Sequence, residues 1–158
     1  MDYSERLRVP LSWWLVGLFF ALSFVTAVGF YAGPWVAVVA GVVTALAVSV
    51  ALLWFGRLRV RVDTDGLHAG DALLEWPFVG DVTPLSAAAT RERLGAKADP
   101  AAWLAVRGYV PGSVEVKVDD PADPHPYWLV STRAPQELAA ALVSRAPISP
   151  DEEATERR

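Results

Sequence analysis

The chain has 158 residues, and its fourteen Lys and Arg against eighteen Asp and Glu leave a formal net charge of −4 at neutral pH. That balance lacks the basic footprint that nucleic-acid binding requires. The absence of cysteine excludes disulfides, thiolate metal sites and a cysteine nucleophile. Residues 9–56, 48 in all, contain no Asp, Glu, Lys, Arg or His, so the first third of the chain and the remainder need different solvents.

Residues 1–10 form a short segment that carries Arg6 and Arg8 ahead of the apolar region. Residues 11–31 and 35–55 are two apolar runs of 21 residues each. At about 1.5 Å per residue either one, as a helix, spans a hydrocarbon core of about 30 Å. "AGP" at residues 32–34 makes a very short turn, since glycine is permissive and proline suits the start of a second helix. The expectation is an antiparallel transmembrane hairpin. A cleaved signal peptide fits less well, because the first run exceeds the ~7–15 apolar residues of a signal core and a second follows at once.

Basic residues set the direction of the hairpin. Arg6 and Arg8 precede the first run, Arg57, Arg59 and Arg61 follow the second, and the turn between has none. Both flanks are therefore expected in the cytoplasm and the turn outside, which predicts a multi-pass inner-membrane protein. Trp13, Trp14 and Trp54 fall at the inner boundary and Tyr31 and Trp35 at the outer one, where amphipathic rings prefer to sit. Ala37, Gly41, Ala45 and Ser49 recur at every fourth position of the second run, a candidate helix-packing face for the hairpin itself, a second copy or a partner helix. No ionisable residue lies inside either run, which argues against an ion path or proton relay.

Residues 57–146 read as a cytoplasmic β-rich domain. "RLRVRVD" puts Leu58, Val60 and Val62 on one face of a strand and Arg57, Arg59, Arg61 and Asp63 on the other. The arginines are then its solvent face and a candidate membrane-surface contact, worth ~1 kcal/mol per charge beside anionic headgroups. Turns at "TDG" and "AGD" separate short apolar runs at residues 67–68 and 72–76, as in an antiparallel meander. Residues 84–95 suit either a short helix or an ordered crossing. Strands are expected over 102–107, 113–118 and 127–132, then a helix whose Leu138, Ala141, Leu142 and Arg145 share a face. Residues 147–158 are polar, proline-broken and expected to be disordered.

The order of two spans, a juxtamembrane "LRVRVDTDGL", "ADPAAWLAVRGYVPGSVEVKVDD" and above all "DPHPYWLVSTRAPQELAAAL" resembles the actinobacterial membrane protein family known as domain of unknown function 3093. The likeness runs over residues 3–146, and "PYWLVSTR" is its most specific stretch. It departs at His125, where threonine is expected, which argues against a family-wide role for that histidine. The family carries no assigned activity. What the resemblance implies is location and fold: a transmembrane hairpin followed by a small antiparallel β-rich domain, similar in outline to pleckstrin-homology-like barrels or sheets and closed by a C-terminal helix.

Few residues suggest chemistry. Asp119, Asp120, Asp123 and His125 gather oxygen and nitrogen ligands, but the loop lacks an EF-hand pattern, and Asp-Pro repeats are ordinary turn formers. His68 and His125 are the only imidazoles, no "GxSxG" elbow accompanies them, and no phosphate-cradling glycine loop is present. The expectation is a protein that is not an enzyme, without cofactor or metal. Arg107, Tyr109, Tyr127, Trp128 and Arg133 are the candidate partner surface, since arginine and aromatic side chains dominate interfaces when they converge. Alternation puts Tyr127 and Leu129 on one face of their strand and Trp128 and Val130 on the other, so one set alone is expected to fill the core. The leading reading is a membrane-anchored module that binds a partner protein or assembles with itself. The alternative is a sensor of anionic lipid headgroups.

Overall fold

The structure, a computed structural model, describes residues 3–145. It divides into a helical unit, Arg8–Arg57, and a second unit built from the chain on either side of it. The tail expected over 147–158 lies outside the described residues.

The helical unit is two helices of 22 residues, α1 (Leu11–Ala32) and α2 (Pro34–Phe55), with Gly33 alone between them. Gly33 has φ +88°, a left-handed conformation that glycine adopts without penalty, and Pro34 takes the first helical position. Each helix is long and apolar enough to cross a membrane, and neither holds a buried residue. Their mutual seam is half-buried at Trp14, Gly17, Ala21, Val25 and Val28 on α1, and at Ala37, Gly41, Thr44, Val48 and Leu52 on α2. That three-and-four spacing is the one that lets two helices lie along each other. A Cβ on Gly17 would come 2.8 Å from Val48 Cγ1, and one on Gly41 3.2 Å from Val25 Cγ2, so small residues set the closeness of the helices. Trp13 stacks on Phe55 at the open end, ring centroids 5.9 Å apart.

The second unit begins with a strand that sequence reading left unassigned. β1 (Tyr3–Arg6) pairs antiparallel with β2 (Arg59–Val62), and β3 (Gly66–Ala69) and β4 (Ala72–Glu75) extend the meander into sheet A, order β1-β2-β3-β4. The segment expected to stand apart before the first helix thus belongs to the β-rich unit. At the tight turn from β2 into β3, Gly66 has φ +155°, and a Cβ there would lie 2.0 Å from the Leu74 carbonyl oxygen of β4.

A 3-10 turn, Trp76–Phe78, leads to sheet B, order β5-β7-β8-β6, made of β5 (Val79–Leu85), β6 (Trp103–Ala105), β7 (Ser113–Val118) and β8 (Tyr127–Ser131). The expected all-antiparallel domain needs correction here, because β6 runs parallel to β8. β5, β8 and β6 point the same way, so the chain leaves one edge of the sheet and returns at the other. α3 (Ala87–Leu94) makes that crossing, as parallel strands require of their connections. Ser86 caps it by accepting the Ala89 amide at 3.3 Å.

This crossover buries sheet B on both faces. Val114, Val116, Trp128 and Val130 face the main core, with Leu7, Val60, Val62 and Leu67 of the sheet A side and with Leu138 and Leu142 of α4 (Pro135–Val143). Ser113, Glu115 and Leu129 face the α3 side and are equally buried. Full burial of each core leucine contributes about 1.5–3 kcal/mol, so α4, with both its leucines inaccessible, is a structural lid on the core.

Candidate anion-binding face

Alternation along β1, β2 and β3 places Ser4, Arg6, Arg59, Arg61, His68 and Gly70 on the outer face of sheet A, while Val60, Val62, Leu67 and Ala69 fill the core. The register opposes Ser4 to Arg61 and Arg6 to Arg59, and Arg61 also faces His68. Ser4, Arg59, Arg61, His68 and Gly70 line a shallow cleft of about 220 Å³.

Charge is graded across this face. At the far end of β2, Asp63 pairs with Arg61 at 2.6 Å and with His68 Nε2 at 3.2 Å. The Asp65 amide donates to Asp63 Oδ1 at 3.0 Å, and this bond, with His68 and Arg61 adding to it, holds the Asp63 carboxyl below the usual carboxylate range. Asp63, Asp65 and His68 could each offer one ligand atom to a metal within 4.8 Å of the others, a grouping that "DTDGLH" spreads over six residues. At the opposite end, among the described residues, neither Arg6 nor Arg59 forms an ion pair with a carboxylate. Arg57, expected on the same strand face, lies in the turn after α2, where its amide donates to the Trp54 carbonyl at 3.2 Å.

The expected partner surface is only partly assembled. Trp128 and Val130 are the set that fills the main core, as alternation requires, while Tyr127, 7% exposed, is buried on the opposite face of β8. The cause is the α3 crossover. Arg93 forms a two-pronged ion pair with Glu115 and lies over the Tyr127 ring, 4.8 Å from its centroid, on the α3 face. The short bond raises the Arg93 pKa further. Trp128 packs on Trp103 at 4.0 Å on the core face, its indole N–H without a hydrogen-bond partner among the described residues. Arg107, Tyr109 and Arg133 do gather. Burial pushes the Tyr109 phenol up while Arg107 and Arg133 oppose the shift, and the hydroxyl donates to the Leu7 carbonyl at 3.0 Å.

The "PYWLVSTR" stretch has another structural use. Glu5 Oε2 accepts from Thr132 Oγ1 at 2.6 Å and from the Tyr3 hydroxyl at 2.9 Å, and Glu5 Oε1 accepts the Arg133 amide at 3.1 Å. Thr132 Oγ1 in turn accepts the Ala134 amide at the entry to α4. Burial first, with Glu5 adding, raises the Tyr3 phenol to about 12. This latch joins residues 127 and more positions apart, and only the brief alternation of "YSER" could have hinted at a strand there.

On the helix-packing face, Ala37, Gly41 and Ser49 are half-buried in the hairpin, whereas Ala45 is exposed and points away from that seam. In the loop "DDPADPH", Asp120 accepts the Ala122 amide and Asp123 the His125 amide, each at 2.8 Å, and His125 Nδ1 lies 2.8 Å from the Ala101 carbonyl oxygen. These carboxylates brace their own turns.

The sequence profile of the family described as "Protein of unknown function (DUF3093)" matches residues 2–142. The chain belongs to that family. Within DUF3093, then, falls the whole arrangement from β1 to the buried leucines of α4. No curated protein and no solved structure matches the chain.

Proposed function

We propose that this DUF3093 protein is a non-enzymatic protein of the inner membrane. Its α1–α2 hairpin spans the bilayer, the β-rich unit is cytoplasmic, and the outer face of sheet A engages anionic lipid headgroups. The observation that carries this reading is the opposition of Arg6 and Arg59, neither of which pairs with a carboxylate among the described residues. Like charges directly across a strand pair destabilise it, and an anionic surface relieves that cost. Position supports it as well: Arg6 precedes α1 by five residues and Arg59 follows α2 by four, where basic flanks mark the cytoplasmic side of a span. In outline the two sheets and closing helix are taken as pleckstrin-homology-like, and no function is drawn from the outline.

Hydrogen exchange on the full chain in lipid nanodiscs tests the reading. Phosphatidylglycerol added to phosphatidylcholine is expected to slow exchange over residues 3–6 and 59–70, and salt is expected to reverse the effect, because exposed charges are screened beyond about 10 Å at 0.1 M. Identical exchange in both lipids overturns it. A second reading, a partner protein, draws on the gathering of Arg107, Tyr109 and Arg133. It requires that crosslinking in native membranes capture a partner and that Arg107→Ala reduce the capture.

A further inference from the structure

We infer that the outer face of sheet A holds a discrete phosphate site in which one phosphate group of an anionic lipid bridges Arg6 and Arg59. The inference rests on the headgroup reading above and narrows it from a charged surface to a built cleft.

Four observations converge. Arg6 and Arg59 are direct cross-strand partners, so their side chains leave the sheet on the same face. Neither has a carboxylate partner among the described residues, whereas the neighbouring side chains do: Arg61 and His68 both hold Asp63. Asp63 is thus already committed to Arg61 and His68, and it steadies both at the cleft wall. Finally, the face is concave beside Arg59, a cleft of about 220 Å³ lined by Ser4, Arg59, Arg61, His68 and Gly70 and not by Arg6, with the Ser4 hydroxyl opposite Arg61 as a further donor and Gly70 giving a wall without a side chain. A guanidinium fork matches phosphate oxygens, and two forks facing each other can share one phosphate in place of repelling. Each of the two non-bridging oxygens of a lipid phosphodiester can accept from one fork.

The test measures anionic lipid retained by the full chain from nanodiscs of phosphatidylcholine mixed with phosphatidylglycerol, for the wild type, Arg6→Gln, Arg59→Gln, the double variant and Arg57→Gln. Arg57 is exposed in the turn after α2 and serves as a surface-charge control. A lone surface arginine accounts for about fivefold in affinity. If one phosphate bridges the pair, each single variant loses more than Arg57→Gln, and the double variant loses little beyond either single, because both act on one contact. If Arg6 and Arg59 act as independent surface charges, their losses multiply to about twenty-five-fold and match the control per residue. That result overturns the site while leaving the headgroup reading intact. A wild type that shows no preference for phosphatidylglycerol overturns both.

Inorganic phosphate is the competing probe. Displacement of the lipid only at high ionic strength, by phosphate and chloride alike, supports the lipid source. Selective protection of the cleft by inorganic phosphate in pure phosphatidylcholine would reassign the site to a free phosphate and overturn the lipid assignment. Stability keeps the variants interpretable. In pure phosphatidylcholine Arg6→Gln is expected to raise the urea midpoint of the β-rich unit, since it relieves the like-charge opposition, and a lowered midpoint would count against the geometry itself.

Discussion

Replacing Arg93 by Leu removes the cation that neutralises Glu115 beneath the crossover helix. The pair is two-pronged, with side-chain exposures of 33% for Arg93 and 11% for Glu115. Breaking a fully buried pair costs about 3–5 kcal/mol because a charge is left without a partner. Arg93 is one-third exposed, so solvent screening reduces that figure to about 1.5–3 kcal/mol. Loss of the cation over Tyr127 adds about 0.5–1 kcal/mol. Arg93→Leu is therefore expected to cost about 2–4 kcal/mol, and Glu115→Leu about 1–2, since the freed guanidinium can reach water. The double variant should cost no more than about 1 kcal/mol, because apolar replacements of both partners leave nothing unpaired. Pulse proteolysis in urea, on the full chain in nanodiscs, reads the folded fraction of the β-rich unit without depending on the helices. Additive costs in the double variant would refute the claim that α3 is held to sheet B by this pair.

Three further outcomes follow from the geometry. The Tyr3 phenol should ionise near pH 12, not 10, and because its folded value is raised, the stability it lends is complete below pH 10 and is lost as pH rises through about 12. Phenolate absorbance of the wild type minus Tyr3→Phe checks this, and a difference curve centred near 10 would contradict it. Gly66→Ala should cost at least about 2 kcal/mol, since it combines a positive φ with a backbone clash, and an unchanged urea midpoint would show that the β2–β3 turn is not as described. Gly41→Leu should disrupt the hairpin by colliding with Val25, whereas Ala45→Leu on the exposed face should not. Cysteine crosslinking across the α1–α2 seam distinguishes them, and equal effects would argue against the seam.

What was legible in the sequence was what one local period decides. The two helices follow from uninterrupted apolar length, β7 from strict alternation in "VEVKV", and β8 from the short apolar run "YWLVS". β5 was hidden because Pro84 and a register shift between Val79 and Val82 break its pattern, and both are tolerated because β5 is an edge strand. Burial on both sides of β8 was not legible either, since alternation assigns faces but not what covers them; α3 covers the second face only because β6 lies at the far edge. Of the candidate site residues, Arg59 and Arg61 were found from their spacing, while Arg6, Ser4 and His68 joined them through pairings that no local pattern encodes.

That last gap has a topological cause. A hairpin with a one-residue connection returns the chain close to where it departed, and the amide of Leu7 indeed donates to the carbonyl of Leu58 at 3.1 Å. The flanks of the two helices are thus compelled to become neighbouring antiparallel strands, β1 and β2. The positive-inside bias places arginine in both flanks for reasons of orientation alone. Pairing the flanks then sets those arginines face to face, which is unfavourable for an isolated sheet and favourable beside an anion. On the proposed reading, the residues that would orient the hairpin and those that would form the anion-binding face are accordingly the same ones. Exchanging Arg6 with Val9, which takes the arginine off β1 but keeps Glu5 in its latch, should therefore sharply reduce lipid retention while leaving the arginine count of the flank, and with it the orientation of the hairpin, unchanged. Protease accessibility of residues 57–145 in oriented vesicles would check the orientation, and lipid retention that survived the exchange would sever the two roles.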